Sequence, residues 1–211
     1  EMTDPEQIAV LRILLVINSP AHITSPNLFA LVALKQVEVC LTHGASALAG
    51  AAYAIYGMML VIMGFLDDGH RFGMLALNIL DKYNAIQQRA MVVQLVAISV
   101  RHWKEGLRSI IPSLVEAFQV GMQTGDIVFA AYSALQVCIH TYFSGINLQT
   151  AEQRIVEYNA ALRKIKQETA WLWNLTFHQT VLNLQGKNDD PRLLAGQAYD
   201  ERTMLPRHRE M

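Results

Sequence analysis

The sequence predicts an all-α protein in which antiparallel helical hairpins stack as a tetratricopeptide-like α-solenoid. Two stretches, 45–66 and 127–143, are apolar and contain no Asp, Glu, Lys or Arg, and each is followed by an amphipathic helical segment. In a stack of hairpins, the first helix of each pair lies between neighbours, whereas the second presents a polar face to solvent. The alternation of uncharged and amphipathic segments therefore indicates stacked helical pairs.

The first two helices carry clear start signals. Asp4-Pro5 places a capping side chain before a proline at the first helical position, and apolar residues follow at helical spacing. We expect this helix to end before Pro20. Ser25-Pro26 repeats the same signal, and the second helix is expected to stop at Gly44.

The third helix is expected over 45–66. Gly50, Gly57 and Gly64 recur every seventh residue, about two helical turns, so we expect them on one stripe of close helix packing. Asp67-Asp68-Gly69 is expected to break the helix. The stretch is long enough to span a bilayer, but no lysine or arginine cluster flanks it, so we expect no membrane span.

Six further helices are expected after this break. A fourth, amphipathic helix follows, a fifth covers about 86–104, and a sixth contains Pro112, where a shallow bend is expected, and ends at Gly125. Asp126 caps the uncharged seventh helix. An amphipathic eighth helix starts at Thr150, and its junction with the ninth is expected near Glu168 or Thr169.

The chain divides into a helical repeat domain of about nine helices, 1–187, and a charged C-terminal segment, 188–211. We expect this segment to form one short helix at the start of a following element. The chain opens on Glu1 rather than on methionine, so the sequence is interpreted as a fragment of a larger protein.

Composition excludes several classes of partner. The 211 residues include 52% hydrophobic residues and carry a net charge of −1, so neither nucleic acid nor anionic lipid should be attracted overall. Cys40 and Cys138 lie in apolar helical patterns and are expected to be reduced core thiols. The first residues lack a secretory signal, which favours a cytoplasmic location. Self-association stays open.

No catalytic or cofactor site is visible in the sequence. The seven histidines form no H-x-x-x-H pair on one helical face, and Cys138 and His140 point to different sides of a helix. No glycine-rich loop with a lysine is present for phosphate binding. We therefore expect no metal, no cofactor and no enzymatic activity in this segment.

A repeated triplet supports the stacked pairs. Ala51-Ala52-Tyr53 and Ala130-Ala131-Tyr132 lie 79 residues apart, which fits two hairpins of about 40 residues. Tyr53-x-x-Tyr56-Gly57-x-x-Leu60, followed by Phe72-Gly73-x-x-Ala76-Leu77, resembles the tetratricopeptide signature, with tyrosines in place of its leading tryptophan.

Two groups of residues are candidate binding sites. Charged residues abruptly end an apolar helix around one tryptophan at Arg101, His102, Trp103 and Lys104. This cluster is either a hairpin turn pinned by its tryptophan or an exposed recognition knob. Four tyrosines on the uncharged helices are the candidate lining of a small-molecule pocket: Tyr53, Tyr56, Tyr132 and Tyr142.

Several segments carry a family resemblance. They are R-H-W-K-E-x-L at 101–107, L-V-E-A-F-Q-V-G-M-Q-T-G-D at 114–126, A-A-Y at 130–132 and W-N-L-T-F-H-Q-T-V-L-N-L at 173–184. Together they resemble the helical region of large bacterial multi-sensor signal transduction kinases. In that family, a serine/threonine kinase-like domain and a predicted ATPase module precede this region, and a GAF sensor and a histidine kinase follow it.

The resemblance implies a role without chemistry. The family's ATP-binding, kinase and phospho-acceptor motifs belong to other segments, so no catalytic residue transfers to this chain. We expect a regulatory scaffold that contacts neighbouring domains of the same chain or another signalling protein. The alternative is a helical domain that senses a small molecule and regulates the neighbouring ATPase.

Overall fold

The computed structural model describes residues 1–208, which form ten α-helices with short connections. The helices are α1 (Pro5–Thr24), α2 (Pro26–His43), α3 (Ala49–Ile62), α4 (Leu66–Lys82), α5 (Ile86–Ser99), α6 (Leu107–Thr124), α7 (Ile127–Phe143), α8 (Leu148–Lys164), α9 (Glu168–Leu184) and α10 (Glu201–His208). A 3-10 helix, Arg101–Trp103, lies between α5 and α6. Residues 1–208 contain no β-strand, so the prediction of an all-α protein is confirmed.

The helices stack as antiparallel pairs. Helix α3 contacts α5, α5 contacts α7 and α7 contacts α9, so these alternate helices form one row. They begin at residues 49, 86, 127 and 168, at intervals of 37, 41 and 41 residues. A period near 40 residues is typical of arrays of helical pairs. The architecture is a helical solenoid, as the sequence predicts.

Two large apolar clusters and a smaller one fill the stack, and helices α5 and α6 contribute to both large clusters. Leu80 and Val96 are buried in the first large cluster, which α1 to α5 build together with Ala117 of α6. Leu114 and Leu135 are buried in the second cluster, which α5 to α9 build. Val96 lies in the first cluster and the next residue, Ala97, in the second. The two large clusters therefore meet along α5 and α6 and form one continuous stack.

Each of the two large clusters contains one cysteine. Cys40 lies in the first cluster and Cys138 in the second, and both are buried, free thiols. Burial raises the pKa of Cys40 to about 11 and the pKa of Cys138 to about 12, because an apolar environment disfavours the thiolate. The expectation of core thiols is confirmed.

Helix α1 continues through Pro20, so the predicted end before this residue is wrong. Beyond the proline, the Ser25 N–H donates to the Ala21 carbonyl at 2.9 Å, and the Thr24 hydroxyl donates to the Pro20 carbonyl at 2.8 Å. The proline removes one backbone donor in the last turns of the helix. Burial of Ala21 in the core holds those turns in place.

Helix α3 is shorter than predicted, and the break precedes the aspartates. Gly64 has φ +91° and reverses the chain, because only glycine adopts this conformation without cost. Asp67 and Asp68 lie in the first turn of α4, where carboxylates face the positive end of the helix dipole. The 14 residues of α3 span about 21 Å, less than the ~30 Å of a bilayer core.

The three glycines predicted to share a packing stripe have different roles. A Cβ at Gly57 would lie 2.9 Å from the Gly69 carbonyl oxygen, and a Cβ at Gly50 would lie 3.2 Å from the Ala76 carbonyl oxygen. Both glycines therefore face the backbone of α4. Gly64 has no atom within 4 Å of such a Cβ, because it lies in the turn after α3. Its role is conformational, contrary to the expectation.

Other helix boundaries lie within a few residues of the predicted ones. Helix α5 ends at Ser99 instead of extending to 104, because the chain tightens into the 3-10 helix. Pro112 lies inside α6 and Asp126 caps α7, as predicted. The least distinct boundary, between α8 and α9, lies at Lys166, which adopts φ +56°.

One helix among the described residues is long and apolar enough to cross a membrane by length and composition, and it is α1, near the N-terminus. Of its most apolar 18-residue window, 17% is buried within the protein. The stretch 45–66, which the sequence analysis considered and for which it expected no span, contains the buried helix α3 and the turn after it.

Residues 188–200 are irregular and pack on α9 through side-chain amides. The Gln179 carbonyl oxygen accepts the Ala198 N–H at 3.0 Å, and its amide nitrogen donates to Asn183 at 2.8 Å. Asn183 in turn donates to the Leu193 carbonyl at 2.7 Å. A Cβ at Gly196 would lie 2.4 Å from the Gln179 amide nitrogen, so a larger residue there would displace this side chain from its present position. Helix α10 follows this segment.

Candidate interaction surface

The connection between α5 and α6 carries the predicted recognition knob. The 3-10 helix tightens the chain directly after α5, and Gly106 then adopts an extended conformation that begins α6. The four knob residues therefore lie on a short, ordered turn at one edge of the stack. Their side chains differ sharply in exposure and in partners.

Arg101 is fixed within the turn. Its guanidinium makes a bidentate pair with Glu105, at 2.7 and 2.6 Å, and also donates to the Ser113 hydroxyl at 2.7 Å. These bonds raise the pKa of Arg101 and lower the pKa of Glu105. Because all its directed bonds go to this turn and to α6, Arg101 orders the connection and offers little charge to a partner.

Lys104 and Arg108 tie this turn to its neighbours on both sides. The Lys104 ammonium pairs with Asp67 at the start of α4, and this hydrogen bond lowers the pKa of the Asp67 carboxyl group. The Arg108 guanidinium donates to the carbonyls of Ser144 and Gly145, at 3.0 and 2.9 Å, in the α7–α8 turn. Three successive turns are thereby linked along one edge.

Trp103 is the exposed member of the knob. Its side chain is 58% exposed, and the His102 ring lies beside it with 4.8 Å between the ring centroids. His102 itself is half-buried, and desolvation lowers its pKa. A large aromatic surface is thus held in the solvent by a turn whose neighbouring charges are already paired.

Exposed apolar residues on the adjacent turns extend this surface. Helices α3, α5 and α7 run parallel in one row, so their C-terminal ends share an edge of the stack. We define the turn edge by the exposed residues at or just beyond those ends: Ile62, Met63, Phe65, Trp103 and Phe143. Sequence reasoning identified only the tryptophan. The other four residues could have been found in the sequence as apolar residues that lie at a helix end, close to a glycine turn.

The four candidate pocket tyrosines are distributed over both halves of the stack. Tyr53 and Tyr56 pack on Phe72, with 5.9 and 4.7 Å between ring centroids, in the first half of the stack. Tyr142 packs near Phe177 in the second half. Tyr132 is 39% exposed on α7. The shared triplet therefore places its two tyrosines in different environments.

A well-formed cavity lies elsewhere, between α8, α9 and residues 196–204. Its volume is about 580 Å³. Arg163 and Trp171 line it, and the guanidinium lies 5.7 Å from the centre of the indole ring. His178 also lines it, and desolvation lowers the pKa of this imidazole. The cavity joins the helical stack to the C-terminal segment.

Among the side chains that the structure describes, residues 1–206, no three of His, Cys, Asp or Glu lie close enough to hold a metal ion. His140 is buried on α7, and its Nδ1 lies 2.9 Å from the Gln136 carbonyl oxygen one turn earlier. Its partner is therefore the backbone of its own helix.

The chemistry available at the turn edge is apolar and aromatic contact.

Comparison with known proteins relates the chain to signal transduction. Hybrid signal transduction histidine kinase G from Dictyostelium discoideum is 25% identical to it over 179 residues. This match covers 83% of the chain and 5% of the relative. No family model matches the chain. The similarity supports a relation to a signal transduction histidine kinase, and the chain spans only about 5% of the length of that protein.

Proposed function

We propose that this chain is a non-catalytic regulatory segment of a multidomain signal transduction kinase. It couples modules by binding a neighbouring domain of its parent chain, or another signalling protein, through the turn edge. The parent chain would carry serine/threonine and histidine kinase activity beside an ATPase module, in a bacterial-type arrangement in the cytoplasm. Nucleic acid is not a partner in this proposal.

The observation that carries the proposal is the row of exposed apolar side chains on three hydrogen-bonded turns. Contiguous apolar surface is uncommon on a monomer and marks sites of interaction. Trp103 lies centrally in this row, and tryptophan is enriched among the residues that dominate binding energy. Lys104 and Arg108 link the turns, so the surface is ordered before a partner arrives.

The test is binding of the purified chain to the ATPase and kinase portions of its parent protein, measured by calorimetry. Trp103→Ser should weaken binding by about 30-fold, because truncating a central tryptophan costs about 2 kcal/mol. Val156→Ser, which removes an exposed valine from α8, is the matched control and should bind like the unmodified chain. Equal affinity of both variants would contradict the turn edge as the binding surface.

Sensing of a small molecule is the second candidate function, and the cavity beside α9 favours it. A volume of about 580 Å³ lies within the range of small-molecule sites. Arg163 stacked on Trp171 offers a cation and an aromatic wall to an anionic or planar ligand. A metabolite that raises the melting temperature of the chain, and does so less in Arg163→Ala, would favour sensing over scaffolding.

A further inference from the structure

His102 has a buried nitrogen atom without a partner. Its Nδ1 is shielded from solvent in the connection between α5 and α6, and it makes no hydrogen bond to any residue that the structure describes. A neutral imidazole tolerates this position, because its proton can be on Nε2 while Nδ1 is an unused acceptor. An imidazolium carries a proton on both nitrogens, so Nδ1 would become a buried donor without an acceptor. The position of His102 therefore favours the neutral ring.

The same ring supports the exposed tryptophan of the turn edge. The ring centroids of His102 and Trp103 lie 4.8 Å apart, and the two ring planes are inclined by 41°. Trp103 is exposed, whereas His102 is half-buried. The imidazole thus forms one side of the position that the indole occupies, and the indole loses this contact if the imidazole moves.

One further titratable group acts on His102. Burial lowers the pKa of His102 most, and the charge of His140 on α7 lowers it further. The other charged groups on the 3-10 helix, α4, α5 and α6 near this edge are directed to different partners. Arg101 pairs with Glu105, Lys104 with Asp67, Arg71 with Asp68, Arg89 with Asp81 and Glu116, and Arg108 with the carbonyls of Ser144 and Gly145, while His70 acts on the carboxylates of Asp67 and Glu105.

Protonation of His102 has one favourable consequence and two unfavourable ones. An imidazolium beside an indole ring gains a cation–π attraction, which is modest where water reaches the rings. Against it stand the loss of hydration at the buried Nδ1 and the repulsion from His140. Burial is the larger of these two and outweighs the attraction. The protonated ring is therefore more stable in water than in its present position.

We propose that the turn edge is a proton-gated surface, in which neutral His102 holds Trp103 in its binding position and protonated His102 releases it. This inference rests on the proposed function of the turn edge as a binding surface, and it adds the regulation of that surface. In mild acid the imidazolium turns towards water, and the indole loses its support. The scaffold then releases its partner without unfolding.

Nuclear magnetic resonance tests the gate without a partner. Trp103→Phe identifies the indole N–H signal of Trp103 among the three tryptophans. Between about pH 8 and about pH 5 this signal should shift with a midpoint below 6.5, and the nuclear Overhauser contact between the rings of His102 and Trp103 should disappear. Far-UV circular dichroism checks that the helices persist at the lower pH.

Two variants separate the gate from a general effect of acid. His102→Phe keeps a ring beside the indole and removes the proton, so the Trp103 signal should stay constant with pH. His140→Gln removes the neighbouring charge and should move the midpoint to higher pH. A contact between the two rings that persists through the titration, or a Trp103 signal that titrates equally in His102→Phe, would overturn the proposal.

The affinity for the ATPase and kinase portions of the parent protein shows the consequence for binding. One pH unit below the midpoint, about one-tenth of the chain keeps Trp103 in place, so the dissociation constant should rise about tenfold. His102→Phe should bind equally at both pH values, whereas His43→Gln, on the exposed end of α2, should retain the tenfold change. Equal affinity of the unmodified chain at both pH values would refute the gate. Absence of binding at every pH would instead contradict the proposed function, and the resonance titration would still decide whether His102 gates Trp103.

Discussion

At the scale of single residues, buried histidines make this protein sensitive to mild acid. His140 is 8% exposed, and desolvation lowers its pKa below the ordinary value of 6.5. Desolvation also lowers the pKa of His102 and of His178. Each imidazole is neutral in the folded protein under conditions in which the unfolded chain already binds a proton.

The sign of the pH dependence follows from these lowered pKa values. Above pH 6.5 both states are neutral and the stability is at its full value; as pH falls below 6.5, the unfolded chain takes up protons first. We expect the free energy of unfolding to fall from about pH 7 to about pH 5.5. Carboxylates such as Glu105, whose pKa is lowered by Arg101, titrate at more acidic pH and stay out of this window.

His140→Gln tests this assignment, because glutamine stays neutral over the whole range. Urea unfolding at a series of pH values should give a shallower slope for His140→Gln than for the unmodified chain. His43→Gln, on the exposed end of α2, is the control and should retain the original slope. A slope unchanged by His140→Gln would show that other groups set the pH dependence.

At the scale of elements, the contact of α3 with α4 depends on glycine. Gly57 faces the backbone of α4, where a Cβ would lie 2.9 Å from the Gly69 carbonyl oxygen and 3.2 Å from the Gly73 nitrogen. Backbone atoms cannot rotate away as a side chain can. An added methyl group therefore forces the two helices apart.

Gly57→Ala should destabilise the protein even though alanine is the better helix former. Alanine gains about 1 kcal/mol of helix propensity, and overpacking costs about 1 to 3 kcal/mol, so we expect a net loss near 1 kcal/mol. Gly57→Leu should lose more. Gly106→Ala is the control, because Gly106 has φ −66° and open space around it. Thermal unfolding in which both alanine variants melt alike would refute the close contact.

At the scale of the whole molecule, a destabilising mutation should affect the stability of the nearby helices more than that of distant ones. The first large apolar cluster joins α1 to α6 and the second joins α5 to α9, with α5 and α6 common to both. In stacked helical pairs each unit is stabilised mainly by contact with its neighbours. A cavity in one cluster should therefore weaken nearby helices most.

Leu114→Ala should show this behaviour. Leu114 is fully buried in the second cluster, and removing its side chain costs about 2 to 5 kcal/mol. Amide hydrogen exchange should lose protection in α6 to α8 by more than in α1 and α2. Leu80→Ala in the first cluster should give the reverse pattern. If each variant lost the same amount of exchange protection in every helix, the protein would behave as a single cooperative unit.

Only the part of the turn edge that has a local sequence signal could be predicted, because tertiary packing decides the exposure of the rest. Trp103 stood out in sequence because charged residues surround it, and the structure exposes it. The apolar residues beside it, such as Phe65 and Phe143, carried no comparable signal, since an apolar residue at a helix end is buried or exposed according to what packs over it. The sequence likewise could not say which neighbours the four tyrosines contact: Tyr56 packs on Phe72 in the first half of the stack, and Tyr142 packs near Phe177 in the second half.

The sequence by itself determined the helical class, the period near 40 residues and the order of uncharged and amphipathic helices, because these follow from local capping and from the spacing of apolar residues. Only the tertiary structure decided that Gly57 packs while Gly64 turns, that α1 passes through Pro20, and that α1 instead of α3 is left uncovered. The spacing of apolar residues along a helix indicates which face the helix can bury. The neighbours that fold against it decide which of those surfaces stay in water.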